Sequence, residues 1–392
     1  MSTRFDHPRQ LLPPEAYFES GWLDREVDRL FDRSWFWAAT EEDLKEPGDF
    51  RACRAMNHSL FVLRDGTGQL QAFHNVCRHR GCEIVEGSGN LGSTIRCPYH
   101  RWTYETNGAL HGVPNEAECF GAVPRESLSL HRAAVGAHRG MVYVNPDPDP
   151  PEPFDQWIAG LDEHAWPHDL GDGTLSYAGD VRYEMHCNWK VFYENAIDGY
   201  HLGYLHNKTL GAAYPDRNVW HPVGRHTVWY STEREGDPQS TTVLSAEMAD
   251  AAGATRLPGH EESFYPGVVM LFPLTILSPS PWGFHVSLLE PKSPDLTMMW
   301  TQSWTTYGSA SRADAGKAAT LISLANQEGH PMESGNFQLE DMWICEMIQR
   351  NLRSPKFRVG PMAAGFGAES PIMHFQQSVL DYLNGDAGKV GG

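Results

Sequence analysis

The stretch Cys77-Arg-His79-Arg-Gly81, followed further along by Cys97-Pro-Tyr-His100-Arg-Trp102, decides the fold of this chain. It presents two cysteines and two histidines as two short clips, with seventeen residues between His79 and Cys97. A closed zinc site is one possible use of such a ligand set. Zinc clips usually pair cysteine with cysteine and histidine with histidine, whereas each clip here offers one sulfur and one nitrogen. The spacing therefore argues against zinc.

Two mixed clips suit a centre that contains two irons. Iron–sulfur clusters are normally held by four thiolates, and replacing two of them with histidines on one iron gives the Rieske [2Fe-2S] cluster. We therefore expect Cys77, His79, Cys97 and His100 to bind such a cluster. Cys82, which lies close to the first clip, is predicted to be a small apolar filler and not a ligand.

Composition and charge narrow the class of protein. A chain of 392 residues favours two domains. The net charge of -19 and the lack of a basic stripe argue against a nucleic-acid partner. Seven cysteines, an odd number, do not form a disulfide framework and indicate a reducing compartment. Without an apolar leader or a long apolar run, the sequence predicts a cytoplasmic protein that does not span a membrane.

The chain order predicts an α+β fold with three segments. Residues 14–35 have the apolar spacing of an amphipathic helix, and we expect segment 1–38 to pack on the catalytic domain. Short β-like runs separated by Gly, Asn and Asp turns predict a small all-β domain over 39–150. The proline-rich stretch 145–153 marks its end. Residues 151–392 are predicted to form a larger catalytic domain, an antiparallel sheet flanked by helices.

The run Gly87-Ser-Gly-Asn-Leu-Gly92 formally matches a dinucleotide-binding pattern. A true fingerprint follows a buried strand and opens a helix, whereas this run follows a ligand loop and precedes a β-type segment. We interpret it as a turn. If NAD(P)H supplies the electrons, another protein must therefore bind it.

A second candidate metal site lies in the run from Asn188 to His206. Glu194, Asp198 and His201 are spaced so that a continuous helix would place them on one face. His206 is five residues beyond His201, about 140° past a full turn on a regular helix, so we predict an irregular turn at residues 202–205. Two histidines and one carboxylate form the facial triad of non-haem iron oxygenases.

The two clips and the run ending at His206 resemble Rieske non-haem iron oxygenases, the ring-hydroxylating dioxygenase family. The resemblance implies that His201 and His206 bind a mononuclear Fe(II), and that Asp198 bridges one of them to a Rieske histidine of a neighbouring subunit. A further helical run, residues 336–350, resembles the segment that supplies the family's third ligand. Asp341 is the predicted ligand, with Glu340 as the alternative.

The resemblance also implies a function. The protein is expected to be the terminal oxygenase of a multicomponent system, taking electrons from NAD(P)H through a separate ferredoxin or flavin reductase and using O2 to hydroxylate a small organic, aromatic substrate. A homotrimer is expected, and the presence of an additional small β subunit is left open. The sequence leaves open an N- or O-demethylase acting on a quaternary ammonium or methoxy compound. Two other classes remain as alternatives: an electron-transfer Rieske protein without oxygenase activity, and a zinc-stabilised binding module.

Overall fold

The computed structural model describes residues 9–164, 168–209, 219–230, 267–280, 282–312, 315, 319–364 and 369–386. The chain forms two compact units. The β unit comprises Phe31–Gln156 and Asp169–Gly173, and the α+β unit comprises Met1–Leu30, Trp157–His168 and Thr174–Gly392. The predicted α+β fold class is confirmed, while the predicted segment boundaries at residues 38 and 150 stay predictions. Within the described ranges, no helix is both long and apolar enough to cross a membrane.

The β unit is built on a seven-stranded sheet and a three-stranded sheet. Its strands are β1 (Phe36–Thr40), β2 (Asp49–Ala55), β3 (His58–Arg64), β4 (Leu70–His74), β5 (Ser88–Asn90), β6 (Thr94–Arg96), β7 (Thr103–Glu105), β8 (Leu110–Gly112), β9 (Arg132–His138) and β10 (Met141–Asn145). The larger sheet has the order β1-β10-β9-β4-β3-β2-β5, and β6-β7-β8 form the smaller one. The glycine-rich run at 87–92 lies in and around β5 and leads to β6, as the turn interpretation expects.

A continuous apolar run explains the core of the β unit. In β3, residues Leu60 to Leu63 are all buried, which is the pattern of a strand covered on both faces. Phe61 packs against Phe73 of β4 at a ring distance of 5.6 Å, and both belong to a cluster that also contains the buried Cys77 and Cys97. The two cysteines are thus anchored in the core of the β unit.

The α+β unit is built on an eight-stranded sheet of order β12-β13-β14-β15-β16-β17-β11-β18. Its strands are β11 (Ser176–Met185), β12 (Val219–Val223), β13 (His226–Tyr230), β14 (Val268–Leu271), β15 (Thr275–Ser280), β16 (Gly283–Ser293), β17 (Leu296–Thr305) and β18 (Thr320–Ser323). All neighbouring pairs are antiparallel except β11 and β18, which are parallel. The sheet predicted as antiparallel is therefore mixed at one edge.

Seven α-helices occur in the described residues: α1 (Ser20–Arg29), α2 (Glu116–Cys119), α3 (Phe154–Trp157), α4 (Trp189–Ala196), α5 (Leu202–Leu205), α6 (Phe337–Leu352) and α7 (Ser370–Asn384). The single helix predicted over 14–35 is wrong in extent. It is divided into α1 and two flanking 3₁₀ turns, Pro14–Tyr17 and Phe31–Arg33. The apolar residues of these two turns are buried as well, so the helical spacing of apolar residues in the sequence extends beyond the ends of α1.

A buried polar cluster joins α1 to α4. The Lys190 ammonium lies 2.6 Å from the Glu26 carboxylate, and neither side chain is exposed. The Trp189 indole donates to the other oxygen of Glu26 at 2.8 Å. Since a buried charge is stable only when it is paired and hydrogen-bonded, this cluster fixes how the N-terminal helix packs on α4.

Candidate metal centres

The two cysteine–histidine clips adopt the same backbone arrangement. In the first, the Cys77 carbonyl accepts from the Gly81 amide at 2.9 Å, and the Cys77 amide donates to the Cys82 carbonyl at 2.9 Å. In the second, the Cys97 carbonyl accepts from the Arg101 amide at 3.1 Å, and the Cys97 amide donates to the Trp102 carbonyl at 2.9 Å. Gly81 and Arg101 both have positive φ, of 73° and 59°. Each loop therefore turns tightly enough to present its cysteine and its histidine together.

The four candidate cluster ligands form a sulfur pair and a nitrogen pair. The thiols of Cys77 and Cys97 are both buried in the same apolar cluster. The rings of His79 and His100 lie 4.6 Å apart. Each loop thus gives one residue to each pair, which is the division required when two thiolates bind one iron and two imidazoles bind the other.

The surroundings of these residues fit a cluster whose cysteine side is buried and whose histidine side lies near the surface. The His79 Nδ1 atom is buried and has no hydrogen-bond partner, as expected of a nitrogen reserved for a metal. The indole of Trp102 stacks on the His79 ring at 4.9 Å and covers it, whereas Tyr99 is exposed. The Tyr104 hydroxyl lies 3.4 Å from the Cys77 sulfur. Burial raises the pKa of the Cys77 thiol, a cost that a bound metal removes by taking the thiolate.

Two predictions about the second site are wrong. The residues from Glu194 to His201 do not share one helix face, because α4 ends at Ala196 and the next five residues are not helical. The predicted irregular turn at 202–205 is instead the regular one-turn helix α5. The break precedes His201, where the Asp198 carboxylate accepts from the Tyr200 amide at 2.6 Å and holds a local turn.

The two histidines still converge, because they flank α5 instead of lying within it. His201 is the residue before its first turn and His206 the residue after it. Their Nε2 atoms are 3.2 Å apart. The Asp341 Oδ1 atom, from α6, lies 3.0 Å from His206 Nε2 and 3.5 Å from His201 Nε2. The structure therefore brings together all three residues predicted to bind the mononuclear metal.

The spacing of these three atoms suits an octahedral metal with a facial ligand set. Ligands in adjacent positions at bond lengths of roughly 2.1 Å lie about 3 Å apart, close to the separations seen here. His206 is buried and His201 is partly exposed, so the remaining face of the triad is the accessible one. The donor set of two imidazoles and one carboxylate is the one used by non-haem Fe(II) enzymes.

Two further carboxylates lie beside the histidines. Glu340, next to Asp341 on α6, is fully buried and accepts from His206 Nδ1 at 2.7 Å and from the Thr209 hydroxyl at 2.7 Å. Asp198 lies 3.3 Å from His201 Nδ1. When Nδ1 carries the proton, Nε2 is free to bind a metal, so Glu340 favours the ligating tautomer of His206. The Asp198 contact has an ion-pair distance, but His201 Nδ1 has no hydrogen-bond partner. Glu340 therefore contacts the Nδ1 atom of His206, whereas Asp341 contacts the Nε2 atoms of both histidines.

The same contacts set the charge of the site. Burial lowers the pKa of His201, but Asp198 and Asp341 outweigh it and raise the pKa to about 9. For Asp341, burial raises the pKa, while the two histidines lower it to about 2. The Asn195 amide also donates to Asp341 Oδ1 at 2.9 Å. Asp341 is accordingly an anion, as a metal ligand must be.

A cavity of about 150 Å³ opens onto the triad. Asp198 and all three triad residues line it. The rest of the lining comes from α4, α6 and the eight-stranded sheet and includes Phe192, Asn195, Trp220, Trp229, Val268, Ile276, Ser278, Ser287, Met299, Phe337 and Gln338. Ser278 of β15 lines the cavity, while Phe272 and Phe284 are buried in the core. The two tryptophans and Gln338 gave no signal in the sequence.

Comparison with protein families matches both units. The Rieske [2Fe-2S] domain family matches residues 34–128. The catalytic domain of the ring-hydroxylating alpha subunit family matches residues 173–385, more than half of the chain.

Individual relatives point to two kinds of chemistry. Choline monooxygenase of Amaranthus tricolor is 26% identical over 95% of this chain and 78% of its own length. The alpha subunit of chlorobenzene dioxygenase of Cupriavidus sp. (strain PS12) is 31% identical over 55% of this chain and 49% of its own. The solved structure of the quaternary ammonium Rieske monooxygenase CntA with L-carnitine has the same fold, with a TM-score of 0.71 and 22% identity over 94% of both chains.

Proposed function

Because the chain belongs to the family of ring-hydroxylating oxygenase alpha subunits and carries a Rieske [2Fe-2S] domain, we propose that it is the terminal oxygenase component of a multicomponent system that hydroxylates a small organic substrate. The observation that carries the proposal is the convergence of His201, His206 and Asp341 on one cavity. When bound, the cluster and the mononuclear iron supply single electrons and the activation of O2.

Each site residue has a proposed task. Cys77 and Cys97 hold one iron of the cluster and His79 and His100 hold the other, supported by their pairing in the two loops. The three residues His201, His206 and Asp341 bind the mononuclear iron. Asp198, whose Oδ2 atom lies 3.3 Å from His201 Nδ1, is proposed to link that ring to a Rieske histidine of a neighbouring subunit, as the family resemblance implies.

The source of electrons is proposed to lie outside this chain. The described residues around 87–92 form a strand and turns and provide no helix N-terminus for a pyrophosphate. NAD(P)H is therefore proposed to act through a separate ferredoxin or flavin reductase. A homotrimer in which the cluster of one subunit serves the iron of the next, with or without a small β subunit, follows from the family resemblance.

An aromatic substrate is the first proposal for the cavity. Phe192, Trp220, Trp229 and Phe337 line it, and flat rings stack well on such walls. An N-demethylase acting on a quaternary ammonium compound is the second. The same rings form a surface for a methylammonium group, and relatives that match over more than nine tenths of the chain are choline monooxygenases.

A substrate panel with a surrogate reductase tests both proposals. We expect product formation coupled to O2 consumption with either a neutral aromatic compound such as naphthalene or a quaternary ammonium compound such as choline. Asp341→Ala is the matched control, since it is expected to keep a reducible cluster but to lose the mononuclear iron and the product. If the wild-type protein shows a mixed-ligand cluster but binds no further iron, it is an electron carrier. A colourless protein containing only zinc would contradict the proposal altogether.

A further inference from the structure

Gln338 occupies a fixed position beside the proposed iron site. It lies in the first turn of α6, where its backbone amide donates to the Oδ1 atom of the helix-capping Asn336 at 2.9 Å. It is three residues before Asp341, so both side chains lie on the same face of the helix, one turn apart. Both line the cavity. A group held by Gln338 is therefore held next to the metal ligand.

The Gln338 amide has an unused hydrogen-bond donor. Its Nε2 atom is buried and has no partner. The same is true of the indole Nε1 of Trp220, another residue of the cavity wall. Leaving a buried donor unpaired costs roughly 1–3 kcal/mol, so such groups normally face a ligand or an ordered water. These two donors belong to the same cavity, which points to an occupant that accepts hydrogen bonds.

Three other polar residues of the lining already form hydrogen bonds. The Asn195 amide donates to Asp341, the Ser287 hydroxyl pairs with Thr301 at 2.7 Å, and His206 is bonded through Nδ1 to Glu340. No lysine or arginine occurs among the described residues that line the cavity. The lining thus offers no side-chain cation that would select a carboxylate substrate, and the proposed iron is the positive charge of the site.

We propose that Gln338 is a specificity-determining residue that donates a hydrogen bond to an uncharged oxygen acceptor of the substrate, such as a ketone, ether or phenol oxygen, with Trp220 as a second donor. The inference rests on the proposed function and narrows its substrate class to a neutral, oxygen-bearing aromatic compound. It also places that oxygen near Asp341, so the carbon that is oxidised lies close to the oxygen function.

The test compares two probes of the same shape, acetophenone and α-methylstyrene, in which a C=O group replaces a C=CH2 group. Binding to the full-length holoenzyme without reductant is measured by tryptophan fluorescence and checked by equilibrium dialysis. We expect acetophenone to bind about five- to tenfold more tightly, the value of one net neutral hydrogen bond. Gln338→Leu is expected to abolish this preference, and Gln338→Glu to do the same because a carboxylate cannot donate.

Ile276→Val, a change of an apolar wall residue, is the matched control and should affect both probes alike. Cluster absorbance and iron content show whether each variant is folded and loaded. Equal affinities in the wild type, an unchanged preference in Gln338→Leu, or no binding of either probe would overturn the proposal. Because binding is measured without turnover, these outcomes are independent of whether the enzyme consumes O2, which tests the proposed function.

Discussion

Replacing Glu194 with glutamine is expected to change how the stability of the protein depends on pH. Glu194 lies on α4, and its Oε1 atom accepts from the Tyr17 hydroxyl at 2.6 Å and from the Gln376 amide at 2.8 Å. Burial raises the pKa of this carboxyl to about 7, with a further increase from Glu369, although the two hydrogen bonds and Lys190 act in the opposite direction. The folded protein therefore holds a proton here that the unfolded chain releases at lower pH.

The sign of the effect follows from this difference. As the pH rises above 4.5, the ordinary value for this group, the unfolded chain loses the proton while the folded protein keeps it until about pH 7. The free energy of unfolding therefore falls as pH rises. For the stated values, the loss between about pH 5.5 and about pH 8.5 is up to about 2 kcal/mol. The glutamine of Glu194→Gln does not titrate, so the stability of this variant relative to wild type should increase by this amount as the pH rises over the same interval.

Urea unfolding followed by tryptophan fluorescence at several pH values measures the effect. The quantity compared is the free energy of unfolding of the variant minus that of the wild type at each pH. The contributions of Tyr17, Lys190 and Glu26 to the pH dependence cancel to first order, because these residues are present in both proteins. Glu328→Gln, which removes an exposed carboxyl, is the control and should show a flat difference. A flat difference for Glu194→Gln as well, or one that declines with pH, would refute the reasoning.

Three further changes test other parts of the structure. Glu340→Ala should weaken iron binding about 10- to 100-fold, measured by chelator competition, because His206 loses its orienting acid, whereas Glu340→Gln keeps an acceptor and should lose less. Lys190→Met should destabilise the protein by about 3–5 kcal/mol in urea unfolding, because Glu26 stays buried without its partner, and adding Glu26→Gln should recover part of the loss. Gly140→Ala should lower the unfolding midpoint, because Gly140 has a φ of 73° and a Cβ there would lie 2.2 Å from a backbone nitrogen of the neighbouring loop.

Local chemistry explains what the sequence predicted well. The two clips are short, so cysteine and histidine at each loop tip share a turn whatever the rest of the chain does. The strands around them were equally visible, since runs such as Leu60 to Leu63 are apolar and bounded by turn residues. The fold class and both kinds of cofactor followed from these features and from the family resemblance.

Features that depend on distant parts of the chain were not predictable. Glu26 reads as an exposed helix residue, and only the tertiary structure brings it to Lys190. Trp220 and Gln338 belong to separate elements and line one cavity because the sheet and α6 meet there. The end of α4 was missed because helix spacing continues past Ala196 in the sequence, while the turn held by Asp198 interrupts it in space.

The geometry around His206 gives a physical reason for two adjacent acids on α6. Consecutive residues of a helix point about 100° apart, so neighbouring carboxylates can reach two sides of one ring. Glu340 contacts His206 Nδ1 at 2.7 Å and Asp341 lies 3.0 Å from Nε2. One imidazole is thereby held at both nitrogens by one helix turn. Since His201 Nε2 also lies 3.5 Å from Asp341 Oδ1, the register of α6 places one acid on the Nδ1 atom of His206 and the other beside the Nε2 atoms of both histidines, which α5 brings together.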